Sequence, residues 1–280
     1  MPFFHGFKQV VLVKQVPNLT AGHVPMKPDG TIDRSKVQPM FNPPDLAALE
    51  AALELKDRLG GMVFALSMGP PDAEAVLKDC YRCGTDDHFL LTDRRLGGSD
   101  TLGTSYALAL GVRYIERKWG PVDVVHAGMK ALDGETGQVG PQVARWLERP
   151  CLPYVEQVHE VDLDAPKPLH ADVIITGGAA QVRSTLPCVT VDAPTKYTIR
   201  TPLASRLMLM KDFRMEKLSI DDIGLDVPFI GVDGSPTKVW KSEPQTSAEG
   251  FRNTKFWTPD KVGELVAKWG EMGLFKEEVA

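Results

Sequence analysis

"VDVVHAGMKALDGETGQVGPQVARWL" (residues 122–147) is the stretch on which the reading of this chain turns. Val122, Val124 and Val125 form a short apolar run, and Val143, Ala144, Trp146 and Leu147 resume at helical spacing. A short apolar run bounded by turn residues predicts a buried strand, and the spacing after it predicts a helix. A strand feeding a helix through a polar loop is the repeating unit of a parallel sheet. The loop itself raises the functional question. Gly134, Gly137 and Gly140 let another backbone or a ligand come close, and Thr136 can cap a helix. N–H groups at a helix start, with the dipole behind them, suit a phosphate. Taken alone, D-G-x-T serves any helix start as a cap.

Working outward, the same alternation repeats through the first half. "QVVLVKQV" (9–16) predicts a buried strand, and "PPDLAALEAALELKDRLGG" (43–61) a helix begun by Pro43, Pro44 and Asp45 and ended by Gly60 and Gly61. "MVFALSMG" (62–69), "DDHFLLTD" (86–93) and "VDVVHAG" (122–128) predict three further strands. "DAEAVLKDCYRC" (72–83), "SDTLGTSYALALGVRYIERKWG" (99–120) and "GQVGPQVARWLERP" (137–150) predict the helices between and after them. The pattern predicts an α/β fold, a doubly wound, Rossmann-like parallel sheet with right-handed crossovers. In such sheets ligands lie beyond the carboxyl ends of the strands, which selects the loops 17–44, 67–72, 92–101 and 127–138.

The second half reads differently. "ADVIITGGAAQVRSTLPCVTVD" (171–192) predicts two strands around Gly177–Gly178, a hairpin added to the sheet. "RTPLASRLMLMKDFRMEK" (200–217) is basic and rich in Met. From about Ile220 the chain is rich in Gly, Pro, Ser and Thr, and a last helix over 260–275 places Val262, Leu265, Val266 and Trp269 on one face. The expected division is a nucleotide-binding domain, 1–219, and an arm, 220–280, that grips a partner.

The totals narrow the function classes. The chain has 280 residues, 43% apolar and 25% charged, enough for a sizeable core. A net charge of −5 gives no reason to expect nucleic acid or an anionic membrane. No apolar run reaches the roughly 20 residues of a membrane span. The opening "MPFFHGFKQVVLVKQVP" lacks a basic leader, a long apolar stretch and a cleavage site, so a cytoplasmic protein is expected. Cys80 and Cys83 form a C-x-x-C, but no second pair or close His pair supplies the other ligands of a structural zinc site. They are expected to be inert residues of a helical turn.

Three of the selected loops are rich in Gly, Ser and Thr: "SMGPP" (67–71), "GGSDTLGTS" (97–105) and the loop 133–140. None matches G-x-G-x-x-G or G-x-x-x-x-G-K-[ST], and no nucleophile elbow or H-E-x-x-H is present. The residues therefore point to a nucleotide or flavin bound outside the common fingerprints, without hydrolytic machinery.

At this point six segments carry a resemblance. "VKQVP" (13–17), "FNPPDLAALEAALELKD" (41–57), "LSMGPPDAEAVLK" (66–78), "LLTDRRLGGSDTLGTSYALA" (90–109), "AGMKALDGETGQVGPQVA" (127–144) and "GGAAQVRSTLPCVTVD" (177–192) follow one another in one order, with "GSPTKV" (234–239) behind them. Together they resemble the β (small) subunit of electron-transfer flavoproteins over nearly the whole chain. The resemblance implies a heterodimer with a larger α subunit that holds the electron-carrying FAD, and in β either a structural AMP or a second FAD. The AMP-binding type reads like D-D-D-x-N-Q-T-G-Q in the fourth loop. Here Asp133 to Pro141 is similar to the electron-bifurcating type, in which β carries FAD and NADH can be the electron donor.

Carried onto this sequence, the cofactor-binding residues would be Val13 and Lys14 at the first strand end, Asn42 and Asp45 at the first helix, and Ser67, Met68 and Gly69 in the second loop. Asp100, Thr101, Thr104 and Ser105 would come from the third loop. Gly128, Lys130, Asp133, Gly134, Thr136, Gly137, Gln138, Val139 and Gly140 would come from the fourth. No catalytic residue and no metal ligand is expected, because a flavin brings its own chemistry. The family docks an acyl-CoA dehydrogenase or another oxidoreductase through a leucine, for which Leu207 is the candidate. Two departures stand out. Thr176, Ala179 and Ala180 replace the charged residues usual in the hairpin, and 195–213 lacks the N-E-P-R-Y pattern that precedes the anchor. The alternatives are a non-bifurcating carrier with structural AMP, or a stand-alone nucleotide-binding module.

Overall fold

Strand and helix alternate through the first half as the patterning predicts, in a computed structural model that describes residues 6–18, 36–237 and 258–272. β1 (Lys8–Leu12) is followed by β2 (Gln15–Pro17) and β3 (Pro39–Phe41). Then come α1 (Pro43–Leu59), β4 (Met62–Met68), α2 (Glu74–Cys83), β5 (Asp87–Leu91), α3 (Thr101–Trp119), β6 (Val124–Gly128) and α4 (Val139–Leu147). The second half adds β7 (Cys151–Val161), β8 (Leu169–Ile175), β9 (Gly178–Ser184), β10 (Cys188–Asp192), α5 (Ala204–Met208) and β11 (Glu216–Leu218). Among the described residues three short helices follow: α6 (Ile220–Ile223), α7 (Gly231–Gly234) and α8 (Val262–Glu271).

Nine strands make one sheet in the order β11-β5-β4-β1-β6-β10-β7-β8-β9. The first seven run parallel, and β8 and β9 extend the sheet antiparallel. This is an α/β, Rossmann-like fold. Alternate residues of the same strands face two cores. Val10, Leu12, Phe64 and Leu66 pack with Leu108, Val112 and Ile115 of α3 and Val143 of α4. Val11, Val13, Val63 and Ala65 pack with Leu49 and Leu53 of α1 and Val76 and Leu77 of α2. With helices on both faces, the strands read as continuous apolar runs rather than as alternation. Each fully buried Leu or Phe here contributes about 1.5–3 kcal/mol.

Several boundaries differ from expectation. The run 9–16 is broken at Val13–Lys14: Val13 N–H makes a last bond to Leu66 O, Lys14 N–H turns to the Asp45 carboxylate, and β2 pairs with β3 instead. The hairpin at Gly177 is present, with Ile175 opposite Gly178, but its second arm stops at Ser184. Residues 188–192 are instead a central parallel strand, inserted between β6 and β7. β7 was not anticipated, because its mixed exposure and two register shifts blur the period of two. The segment after residue 219 also enters the core, where Ile220, Ile223, Leu225 and Ile230 are buried with the residues of α3.

In α8, Val262, Val266 and Trp269 are exposed and Leu265 is half-buried. The remainder of the expected arm, 238–257 and 273–280, lies outside the described residues. Among the described residues no helix is long and apolar enough to cross a membrane.

Candidate functional site

From β1 the chain moves outward through β4 and β5, then returns to the other side of β1 as β6. A crevice must open where the direction reverses, at the carboxyl ends of β1 and β6. A cavity of about 910 Å³ lies there. That is near the upper end of the roughly 300–1,000 Å³ usual for small-molecule sites.

Sixteen of the twenty anticipated cofactor residues line the cavity: Val13, Lys14, Asp45, Met68, Asp100, Thr101, Thr104, Gly128, Lys130, Asp133, Gly134, Thr136, Gly137, Gln138, Val139 and Gly140. Asn42, Ser67, Gly69 and Ser105 stand back from it. Each has a physical reason. Asn42 is fully buried; its Nδ2 donates to Lys130 O at 3.0 Å and its Oδ1 accepts from Leu132 N–H at 3.1 Å, so it clamps the fourth loop rather than capping α1. Ser105 Oγ donates to Leu102 O and accepts from Trp146 Nε1 inside the α3–α4 contact. Ser67 is fully buried within the sheet, and the N–H of Gly69 is taken by Leu91 O. Sequence reasoning missed the apolar wall of Leu12, Leu96, Leu108, Ala127, Met129 and Ala131, as well as Glu135. Strand-end and helix apolar residues carry no signal that separates a cavity wall from a core.

The two helix starts at the cavity are not equivalent. Asp100 caps α3: its Oδ1 accepts from Gly103 N–H at 3.0 Å and its Oδ2 from Thr237 N–H and Oγ1 at 3.0 and 2.7 Å. Its own N–H donates to Ser235 Oγ at 2.8 Å. The carboxylate therefore takes donors that a phosphate would need, and it ties residues 235–237 to the domain. Asp100→Ala is expected to cost about 1–3 kcal/mol through the lost cap and tether. A thermal melt checks this, and a change below half a kilocalorie per mole, roughly, would refute it.

The α4 start is different. No side chain caps it, it begins at Val139 rather than near Thr136, and Val139 and Gly140 both line the cavity. An uncapped helix N-terminus of this kind is available to an anion. Gly140 is also a point of close approach, since a Cβ there would lie 2.9 Å from Val191 Cγ2. Ahead of α4 the backbone passes through left-handed conformations at Glu135 and Gly137. Thr101 Oγ1 donates to Gln138 Oε1 at 2.9 Å, bridging the two helix starts.

Charge in the wall is largely paired. Lys14 Nζ lies 2.7 Å from Asp133 Oδ1, and Lys130 Nζ lies 2.9 Å from Glu135 Oε1. Asp45 is buried and accepts Lys14 N–H at 2.8 Å through Oδ2. Burial pushes its carboxyl up to about 7, against the pull of the Asn42 and Lys14 hydrogen bonds. Away from the cavity, Leu207 is half-exposed on α5, beside exposed Leu203, Met208 and Leu209. Cys80 and Cys83 are buried free thiols, and burial raises both, Cys83 to about 11, which makes them poor nucleophiles.

The chain matches the family model described as electron transfer flavoprotein domain over residues 29–206. That span covers more than half of the sequence. The chain belongs to the electron transfer flavoprotein family. Within that family it is similar to "Protein FixA" of Bradyrhizobium diazoefficiens, 40% identical over 82% of this chain and 80% of the relative. It is 39% identical to "Electron transfer flavoprotein subunit beta" of Clostridium acetobutylicum, over 83% of this chain and 86% of the relative. It is 34% identical to "Caffeyl-CoA reductase-Etf complex subunit CarD" of Acetobacterium woodii, over 94% and 97%. These relatives place it on the beta-subunit side of the electron transfer flavoprotein family. The cavity suits a nucleotide of that chemistry, with apolar walls for a flat ring and, at α4, uncapped backbone for phosphate.

Proposed function

We propose that this chain is the β subunit of a cytoplasmic electron transfer flavoprotein heterodimer and holds FAD in the cavity between β1 and β6. The observation that carries this reading is the cavity itself: about 910 Å³ at the switch point, lined both by an uncapped helix start and by apolar side chains. A dinucleotide needs both features at once. The bound flavin supplies hydride and one-electron chemistry.

The chain's own residues bind and orient. Val139 and Gly140 offer backbone to the diphosphate, and Thr136 adds a hydroxyl. Leu12, Met68, Leu96, Leu108 and Met129 exclude water around flat rings. Asn42, by holding Lys130 and Leu132, fixes the loop that presents these groups. In this reading a flavin held by these residues would let the heterodimer take electrons from NADH or a partner such as an acyl-CoA dehydrogenase and, in the bifurcating manner, share them between two acceptors. Leu207 and its exposed neighbours would meet the dehydrogenase.

Acid release of cofactors from the purified α–β complex tests this. Two FAD and no AMP per heterodimer are expected. One FAD and one AMP would overturn the bifurcating reading and make this subunit structural. A complex without nucleotide in either subunit would overturn both.

A further inference from the structure

We propose that Asp45 makes nucleotide binding proton-linked, its carboxyl taking up a proton as a phosphate-bearing nucleotide enters the cavity. The inference rests on the reading above, that the cavity holds such a nucleotide.

Its basis is the pairing of charge around the wall. Lys14 Nζ lies against Asp133, Lys130 against Glu135, and Asp100 is held by Thr237 and Gly103. Asp45 has instead the backbone N–H of Lys14 and a neighbouring Asn42 amide, and only 6% of the residue is exposed. The carboxyl occupies the space beside Gly128, where an added Cβ would overlap Asp45 Oδ1. The charged and titratable groups that face it are Lys14 from the end of β1, Asp133 from the loop after β6, and the Cys80 thiol of α2. Lys14 favours the ionised carboxyl. Burial and Asp133 disfavour it, and burial is the larger effect.

Both states of the carboxyl are therefore populated near neutral pH. A phosphate brings further negative charge into the same cavity, and a nearby like charge favours the neutral acid. The bound state then has the higher pKa. Binding takes up a proton, and affinity is greatest below about 7 and is lost as pH rises through the window between the free and bound pKa values. The Asp45 carboxyl thus makes this cavity release its nucleotide more readily in alkaline conditions.

Isothermal titration of AMP and of FAD into the nucleotide-stripped heterodimer, in buffers of different ionisation enthalpy, counts the protons. About half a proton should be taken up per nucleotide at pH 7 and more above it, with affinity falling up to about tenfold per pH unit. Asp45→Asn keeps an acceptor for Lys14 N–H and should bind with affinity that no longer varies over this range. Nucleotide-induced infrared difference spectra of the wild type add a readout that needs no variant. A gain in the protonated-acid carbonyl band is expected. Binding without proton uptake and without that band would overturn the inference while leaving the functional reading intact. An unchanged pH profile in Asp45→Asn would assign the proton elsewhere and also overturn it. Failure of both nucleotides to bind would overturn the functional reading, and this inference with it.

Discussion

Gly128→Ala is expected to strip the complex of its cavity nucleotide and to lower the stability of the chain by about 1–3 kcal/mol. Gly128 ends β6 where α1 begins to cover the sheet. A Cβ built there overlaps the Asp45 carboxylate and comes within 2.8 Å of Asp45 N and Pro44 C. A flexible side-chain tip could swing aside, but two of these three atoms are backbone. The start of α1 would have to retreat, taking with it the Lys14–Asp45 bond and Asn42, which holds the fourth loop. Gly134 supplies the control, because it lies in the same cavity wall and a Cβ there meets nothing within 4 Å. Gly134→Ala should retain nucleotide and melt like the wild type. If the two variants gave the same nucleotide content and the same melting temperature, the close approach would have no consequence and the argument would fail.

Asp192→Ala is expected to cost about 1–3 kcal/mol, the range for leaving buried hydrogen-bonding groups without a partner. His126 and Asp192 are both fully buried, on the adjacent strands β6 and β10. His126 Nδ1 lies 3.1 Å from Asp192 Oδ2 and 2.9 Å from Thr190 Oγ1, whose hydroxyl donates to that same carboxylate. The oxygen of Thr190 can therefore only accept from the ring. On the other side, Gln9 Nε2 donates to Ala52 O at 3.0 Å, which turns Gln9 Oε1 toward His126 Nε2 at 2.9 Å. The Asp192 carboxylate thus holds the Thr190 hydroxyl and faces one edge of the His126 ring, while Gln9 meets the other edge. Removing Asp192 leaves the buried Thr190 hydroxyl and His126 ring without that partner. Replacing His126 and Asp192 together by apolar residues of similar volume should cost less than the two single replacements summed, because they share one hydrogen-bond cluster. Urea midpoints of the single and double variants check this, and a single-variant loss below about 1 kcal/mol would contradict the pairing.

Elements whose signals are local are legible in the residues themselves. Pro43 and Pro44 open α1 and Gly60 closes it, the apolar runs of β1, β4, β5 and β6 stand between turn residues, and Gly177 marks the hairpin. Strands alternating with helices imply a parallel sheet, and a parallel sheet implies a site at its carboxyl edge, so most of the cavity wall was legible. Which strand neighbours which depends on contacts between residues far apart in the chain. β10 is a short apolar run after a hairpin, and nothing within residues 188–192 says that it inserts between β6 and β7. The same holds for side chains with two possible duties. Asn42 stands where a cap belongs, yet it serves Lys130 and Leu132 about ninety positions away. Asp100 is legible as a cap or as a ligand group, and Thr237, far along the chain, settles its carboxylate as a cap. Asp45 is an ordinary first-turn acid until Gly128 and the sheet bury it. Periodicity and turn chemistry act over a few residues, whereas partner choice is a competition among groups brought together only when the sheet closes.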